Sequence, residues 1–201
     1  MQTIAAIQTE AGAPLLVDEL ELSDPGPDQV IVRLFSSGVC HSQLHQMGNP
    51  ALKRPLLLGH EGTGVVAAAG EDVTHLKEGD KCIVTWVPRT PVRGRPNWKP
   101  TGAKFRGETA YGHVYTWSRD VLTSGELVVP IPDEHPNDLS CIVGCAVLTG
   151  AGAVLHTAKV RPGDSVAVFG AGGVGLSAIR AAAILEAYPI IAVDLAEDKL
   201  Q

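Results

Sequence analysis

Two cysteines and a histidine in this sequence are placed as candidate metal ligands. Cys40 lies in Gly-Val-Cys-His-Ser at 38–42, His60 in Gly-His-Glu-Gly-Thr-Gly at 59–64, and Cys145 follows Gly144. Taken singly, His60 would be a hydrogen-bonded structural histidine and Cys40 a buried thiol. Together, in glycine-flanked polar turns where a plain core would want aliphatic side chains, they suggest more. Two thiolates and an imidazole fill three positions around a tetrahedral zinc and leave the fourth open, which separates a catalytic zinc from a structural one.

A second stretch suits a different chemistry. Gly170-Ala171-Gly172-Gly173-Val174-Gly175 follows an apolar run and opens a helical one. Gly170 permits a tight turn, Gly172 lets backbone approach a pyrophosphate, and Gly175 lets helix and strand pack closely. The helix N-terminus offers unpaired N–H groups to phosphates. Asp194 closes the next apolar run, where the dinucleotide fingerprint needs an acid for the adenosine ribose hydroxyls. Its charge would repel a 2′-phosphate, so NAD is expected rather than NADP.

The elements that must hold these residues follow from pattern. The first 130 residues are β-rich, with strands expected at Thr3–Gln8, Gln29–Ser36, Gly64–Ala69, Lys81–Val87 and His113–Trp117, separated by Gly/Pro/Asp clusters. His41–Gly48 reads as a short helix. Near 138 the pattern changes to helix, capped by Asp138 and running through Cys141 to about Leu148, with a further helical stretch around Ala151–Ala158. Ser165–Phe169, Gly172 to about Ala187, and Ile190–Val193 then spell β-α-β with parallel strands and a right-handed crossover; Leu176, Ile179, Ala183 and Ile184 share one helix side. The domains are expected at 1–150 and 151–201.

Composition narrows the function classes. A hydrophobic share of 45% builds a real core, and a net charge of −6 argues against a nucleic-acid surface. Four cysteines at irregular spacing fit a reduced, cytoplasmic setting better than a secreted disulfide scaffold. The N-terminus lacks a basic signal-peptide region and no apolar run is long enough for a membrane span. Residues 89–106 carry Arg89, Arg93, Arg95, Lys99, Lys104 and Arg106 without an acid. They read as a Pro-stiffened solvated loop, or as a basic rim for an anionic substrate or a partner subunit.

The sequence resembles the medium-chain, zinc-dependent alcohol dehydrogenase family. Gly59-His60-Glu61-Gly62-Thr63-Gly64 with Gly70 and Val73, Gly144-Cys145 and the glycine turn all match its motifs. The resemblance implies an α/β chain, a GroES-like β-rich catalytic domain followed by the first βαβ unit of a Rossmann domain. It implies one catalytic zinc on Cys40, His60 and Cys145, with Glu61 beside it as an alternative ligand. Ser42 would bond the substrate hydroxyl and pass its proton, through a cofactor ribose hydroxyl, to His45. His41 would lie near the cofactor pyrophosphate, and Gly170, Gly172, Gly173, Val174, Gly175, Asp194 and Lys199 would bind NAD. Trp86 would line the pocket for a small alcohol or aldehyde. A zinc ion makes the alkoxide, a good hydride donor, available near neutral pH. The full-length enzyme would be a homo-oligomer without nucleic-acid or membrane partners.

Three departures qualify this. Many members hold a structural zinc on four cysteines; here that stretch offers Thr90, Arg93, Pro96 and Lys104, so none is expected, and Cys82 and Cys141 read as buried thiols. Gln43 stands where members usually have the acid that orients the zinc-bound histidine; its carbonyl could still accept the imidazole proton, without charge. The chain ends after the second strand of a nucleotide fold of about six, so it reads as an N-terminal portion. The alternatives are a zinc-free quinone or enone reductase, against which the ligand set argues, and a truncated, non-catalytic structural module.

Overall fold

The computed structural model describes residues 1–90 and 101–199. The chain divides into two compact units, Met1–Gly144 and Cys145–Gln201. The described residues of the first form ten short strands: β1 (Gln2–Gln8), β2 (Leu16–Glu21), β3 (Gln29–Ser37), β4 (Leu56–Leu57), β5 (Gly62–Ala69), β6 (Lys81–Val84), β7 (Lys104–Phe105), β8 (Glu108–Thr109), β9 (Asp120–Ser124) and β10 (Val128–Pro130). They form two five-stranded sheets, ordered β4-β1-β2-β7-β8 and β10-β6-β5-β3-β9. The helix α1 (Ser42–Gly48) follows β3. The core between them is aliphatic, as the composition requires: Ile7, Leu20, Leu22, Val30, Val32, Val66, Leu122 and Leu127 are almost wholly buried. Tyr115 is the large exception; its hydroxyl accepts the Leu122 N–H at 3.1 Å, and burial pushes its phenol pKa up.

Two expectations fail here, and one strand went unforeseen. His113–Trp117 is irregular, and the strand is instead Asp120–Ser124, which pairs with β3 from Gln29↔Ser124 to Arg33↔Asp120. Propensity argues against an aspartate there, but buried Asp120 accepts hydrogen bonds from Thr3 Oγ1 at 2.8 Å and Arg33 Nε at 2.9 Å. The strand expected to reach Val87 stops at Val84; beyond it the Val87 N–H turns back to Thr85 Oγ1 at 3.1 Å. The strand β2, rich in acidic residues, escaped the propensity reading; β1 pairs along its whole length.

Helical turns follow in sequence: α2 (Asn137–Ser140), a π-helical turn Val143–Val147, α3 (Leu148–Gly152) and a second π-helical stretch Ala153–Ala158. The α2 cap is Pro136 rather than Asp138, which lies in the first turn. Gly150 does not break the run. It makes room, since a Cβ there would sit 2.2 Å from the Val174 carbonyl.

The second unit contains the β-α-β expected from pattern: β11 (Val166–Phe169), α4 (Gly173–Ile184) and β12 (Ile190–Val193), with the two strands parallel from Val166↔Ile190 to Phe169↔Val193. The helix buries a face of small residues, Ala178, Ala181 and Ala182. Leu176, Ala183 and Ile184, the side that periodicity picked out, are exposed. Close approach to α3 selects alanine over leucine at this contact. No helix among the described residues is long and apolar enough to cross a membrane.

Candidate metal centre and nucleotide turn

Antiparallel pairing explains how ligands far apart in sequence meet. The last residues of β3 face the first of β5, with Ser36↔Thr63 and Ser37↔Gly62 in register. Cys40, just past β3, and His60, just before β5, therefore leave the sheet at the same end. Gly38 N–H, Ser37 Oγ and Thr116 Oγ1 all donate to the Glu61 carbonyl, at 3.1, 3.0 and 3.0 Å, and lock this junction. Gly59 takes φ +93°, and a Cβ there would lie 2.6 Å from Thr116 Oγ1, so the turn into His60 requires glycine. Val84 pairs with Gly62, which puts Thr85 at this end too. Thr85 Oγ1 donates to the Gly144 carbonyl at 2.6 Å, and Cys145 is the next residue.

The ligand atoms of Cys40, His60 and Cys145 all lie within 4.8 Å of one another. Cys145 is buried, and Cys40 and His60 are partly so. Burial lowers the His60 pKa and so favours the neutral imidazole. Two soft sulfurs and one imidazole nitrogen at this spacing fit a zinc ion and suit hard cations poorly. Glu61 is buried beside Gly38, where a Cβ would meet its carboxyl at 2.7 Å. Cys82 and Cys141 stand outside the group. Burial, with Asp80 adding, pushes Cys82 up to about 12; Cys141 Sγ donates to the Asp138 carbonyl at 3.0 Å.

The helix α1 carries the residues expected to move a proton. Ser42 Oγ is buried and has no hydrogen-bond partner among the described residues. His45 is exposed one turn on, and its ring lies 5.3 Å from that of His41. Buried Gln43 bridges the site, with Oε1 accepting the Cys40 N–H at 2.9 Å and Nε2 lying 2.5 Å from His60 Nδ1. Trp86 is half exposed. Of the basic stretch, residues 91–100, with Arg93, Arg95, Pro96 and Lys99, lie outside the described residues. At its flanks Arg89 pairs with Glu126 at 3.7 Å and Arg106 with Asp18 at 2.9 Å.

In the second unit each turn glycine has a separable task. Gly170 takes φ +97°, a Cβ on Gly172 would meet nothing within 4 Å, and one on Gly175 would lie 1.7 Å from the Gly170 carbonyl. Asp194 Oδ2 accepts the Ala171 N–H at 2.7 Å and Oδ1 the Ala196 N–H at 2.9 Å. These bonds lower its pKa, and Lys199 Nζ lies 4.0 Å away. The acid therefore ties the second strand to the glycine turn, a task the fingerprint does not reveal.

Residues 26–133, more than half of the chain, match the alcohol dehydrogenase GroES-like domain. The chain belongs to this family. Its β-rich unit is the GroES-like domain, and its βαβ unit is part of a Rossmann fold. Among curated relatives, the NDMA-dependent alcohol dehydrogenase of Amycolatopsis methanolica is 35% identical over 216 positions, 96% of this chain and 58% of its own length. Among solved structures, an alcohol dehydrogenase zinc-binding domain protein from Burkholderia ambifaria matches with TM-score 0.92 and 32% identity, covering all of this chain and 60% of that one. Benzyl alcohol dehydrogenase from Acinetobacter calcoaceticus matches with TM-score 0.85 and 28% identity, again over 100% and 60%. The chain thus spans under two thirds of the length of these relatives.

Proposed function

We propose that this chain is part of a zinc- and NAD-dependent oxidoreductase that interconverts a small alcohol with an aldehyde or ketone. The observation that carries the reading is the convergence of Cys40, His60 and Cys145 at one sheet end, in a chain whose relatives are alcohol dehydrogenases. Zinc held there would supply a Lewis acid for the substrate oxygen, and NAD a hydride acceptor. The chain's own residues serve the proton. Ser42 Oγ, buried and without a partner among the described residues, takes the substrate hydroxyl proton as it gives up its own toward His45. His45, three residues on along α1, stands in solvent and releases it. On the second unit, the open space before Gly172 admits the pyrophosphate, and Asp194 faces the adenosine ribose with Lys199 beside it.

The first test is zinc per chain by elemental analysis, after purification in zinc-containing buffer and removal of excess metal, together with calorimetric titration of NADH. One equivalent of zinc and saturable NADH binding support the reading. Absence of zinc removes the metal half, and absence of NADH binding leaves the non-catalytic structural module as the better description.

Cofactor choice has its own test. Asp194→Asn keeps an acceptor for the Ala171 N–H, gives up the one for the Ala196 N–H, and loses the charge that repels a 2′-phosphate. The preference for NADH over NADPH is expected to fall by about tenfold, equivalent to ~1.4 kcal/mol. An unchanged ratio of dissociation constants argues against Asp194 as the ribose acceptor.

A further inference from the structure

Gln43 sits between two ligand-bearing residues, and its orientation is fixed by chemistry. The Cys40 backbone N–H can only donate, and it donates to the Gln43 side chain at 2.9 Å. That atom must be the carbonyl Oε1. The Gln43 backbone N–H donates to the Cys40 carbonyl at 3.1 Å, closing a tight turn that holds the two residues together. The amide –NH₂ is left facing His60 Nδ1 at 2.5 Å, and an amide nitrogen has no lone pair to offer. His60 Nδ1 is therefore the acceptor, and the proton of the neutral imidazole lies on Nε2.

An ion needs the reverse. With Nδ1 taken by Gln43, a metal would have to be bound through Nε2, which ligates only through a lone pair. The proton must then move to Nδ1 and find an acceptor, the arrangement that second-layer carboxylates and carbonyls provide at metal-bound histidines. Gln43 can supply one only by turning its amide over, which sets –NH₂ against the Cys40 N–H. Gln43 is 1% exposed, so water cannot relieve that conflict. A glutamate would accept from both groups at once.

We infer that Gln43 is a positioning residue that holds metal-free His60 as the Nε2–H tautomer and thereby weakens metal binding at Cys40, His60 and Cys145. This rests on the zinc reading above. It also corrects the expectation that the Gln43 carbonyl receives the imidazole proton, since Cys40 already occupies that oxygen.

The test uses the full chain, its Gln43→Glu variant and a Cys145→Ser control, each titrated with Zn²⁺ against a chromophoric chelator and checked for folding by circular dichroism. Histidine ¹⁵N NMR of the metal-free chain at about pH 8, above the ordinary imidazole range, reads the tautomer directly. The expected result is Nε2–H in the unsubstituted chain, a shift to Nδ1–H in Gln43→Glu, and zinc bound about 10- to 100-fold more tightly by that variant. The added charge alone would tighten zinc without setting the tautomer, so the NMR result separates the two. Nδ1–H in the unsubstituted chain overturns the inference, as does unchanged or weaker zinc binding in folded Gln43→Glu. Zinc affinity unaffected by Cys145→Ser overturns the ligand reading instead, and the tautomer measurement still decides the role of Gln43.

Discussion

Cys145→Ser is expected to weaken zinc binding by more than the roughly 100-fold that loss of a second-layer partner costs. A serine hydroxyl stays protonated at neutral pH, so the change trades an anionic sulfur for a weak neutral oxygen. Cys40 and His60 alone then offer too few ligands to hold an ion. The fold should survive. Serine is smaller than cysteine, and the Thr85 Oγ1 bond to the Gly144 carbonyl, which places the residue, involves only the neighbouring backbone. Competition titration with Zn²⁺ gives the affinity, and a thermal melt of the metal-free protein gives the control. Zinc retained at the original affinity would remove Cys145 from the ligand set.

Gly175→Ala is expected to destabilise the second unit by about 3 kcal/mol or more. The new methyl would lie 1.7 Å from the Gly170 carbonyl oxygen. That oxygen belongs to a turn already fixed by φ +97° and by the Gly170 N–H bond to the Val193 carbonyl at 2.7 Å. Backbone cannot yield as a side-chain tip can, so α4 must lift from the turn. Hydrogen exchange should show faster exchange at the amides of β11 and β12, with those of β3 and β5 unchanged. Gly172→Ala provides the contrast. Its Cβ meets nothing within 4 Å, and its φ of −81° suits alanine. Stability should stay within about 0.5 kcal/mol, while NADH affinity falls as the methyl enters the space offered to the pyrophosphate. Equal stability losses in both variants would mean that the two glycines share one packing role.

Part of this molecule was legible residue by residue. Glycine flanks singled out Cys40 and His60, and strand–glycine turn–helix context singled out 170–175, because these are local requirements on backbone conformation. Misreadings arose where a neighbour overrode local preference. A strand expected at His113–Trp117 forms instead at Asp120–Ser124, where Arg33 and Thr3 supply Asp120 with partners, and the helix side grouped by periodicity, Leu176, Ile179, Ala183 and Ile184, is not the one that close helix contact buries, Ala178, Ala181 and Ala182.

The sequence by itself determined the inventory: which donors exist, the β-rich then β-α-β order, and a glycine turn shaped for phosphate. The tertiary structure decided their company. Pairing of β3 with β5 brings Cys40 beside His60, the Thr85–Gly144 bond brings up Cys145, and the Cys40 N–H dictates which end of the Gln43 amide meets the imidazole. These depend on strand register and on hydrogen-bond direction between residues distant in the chain. Residue type and spacing state what each group can donate or accept, and only the fold settles which partner it finds.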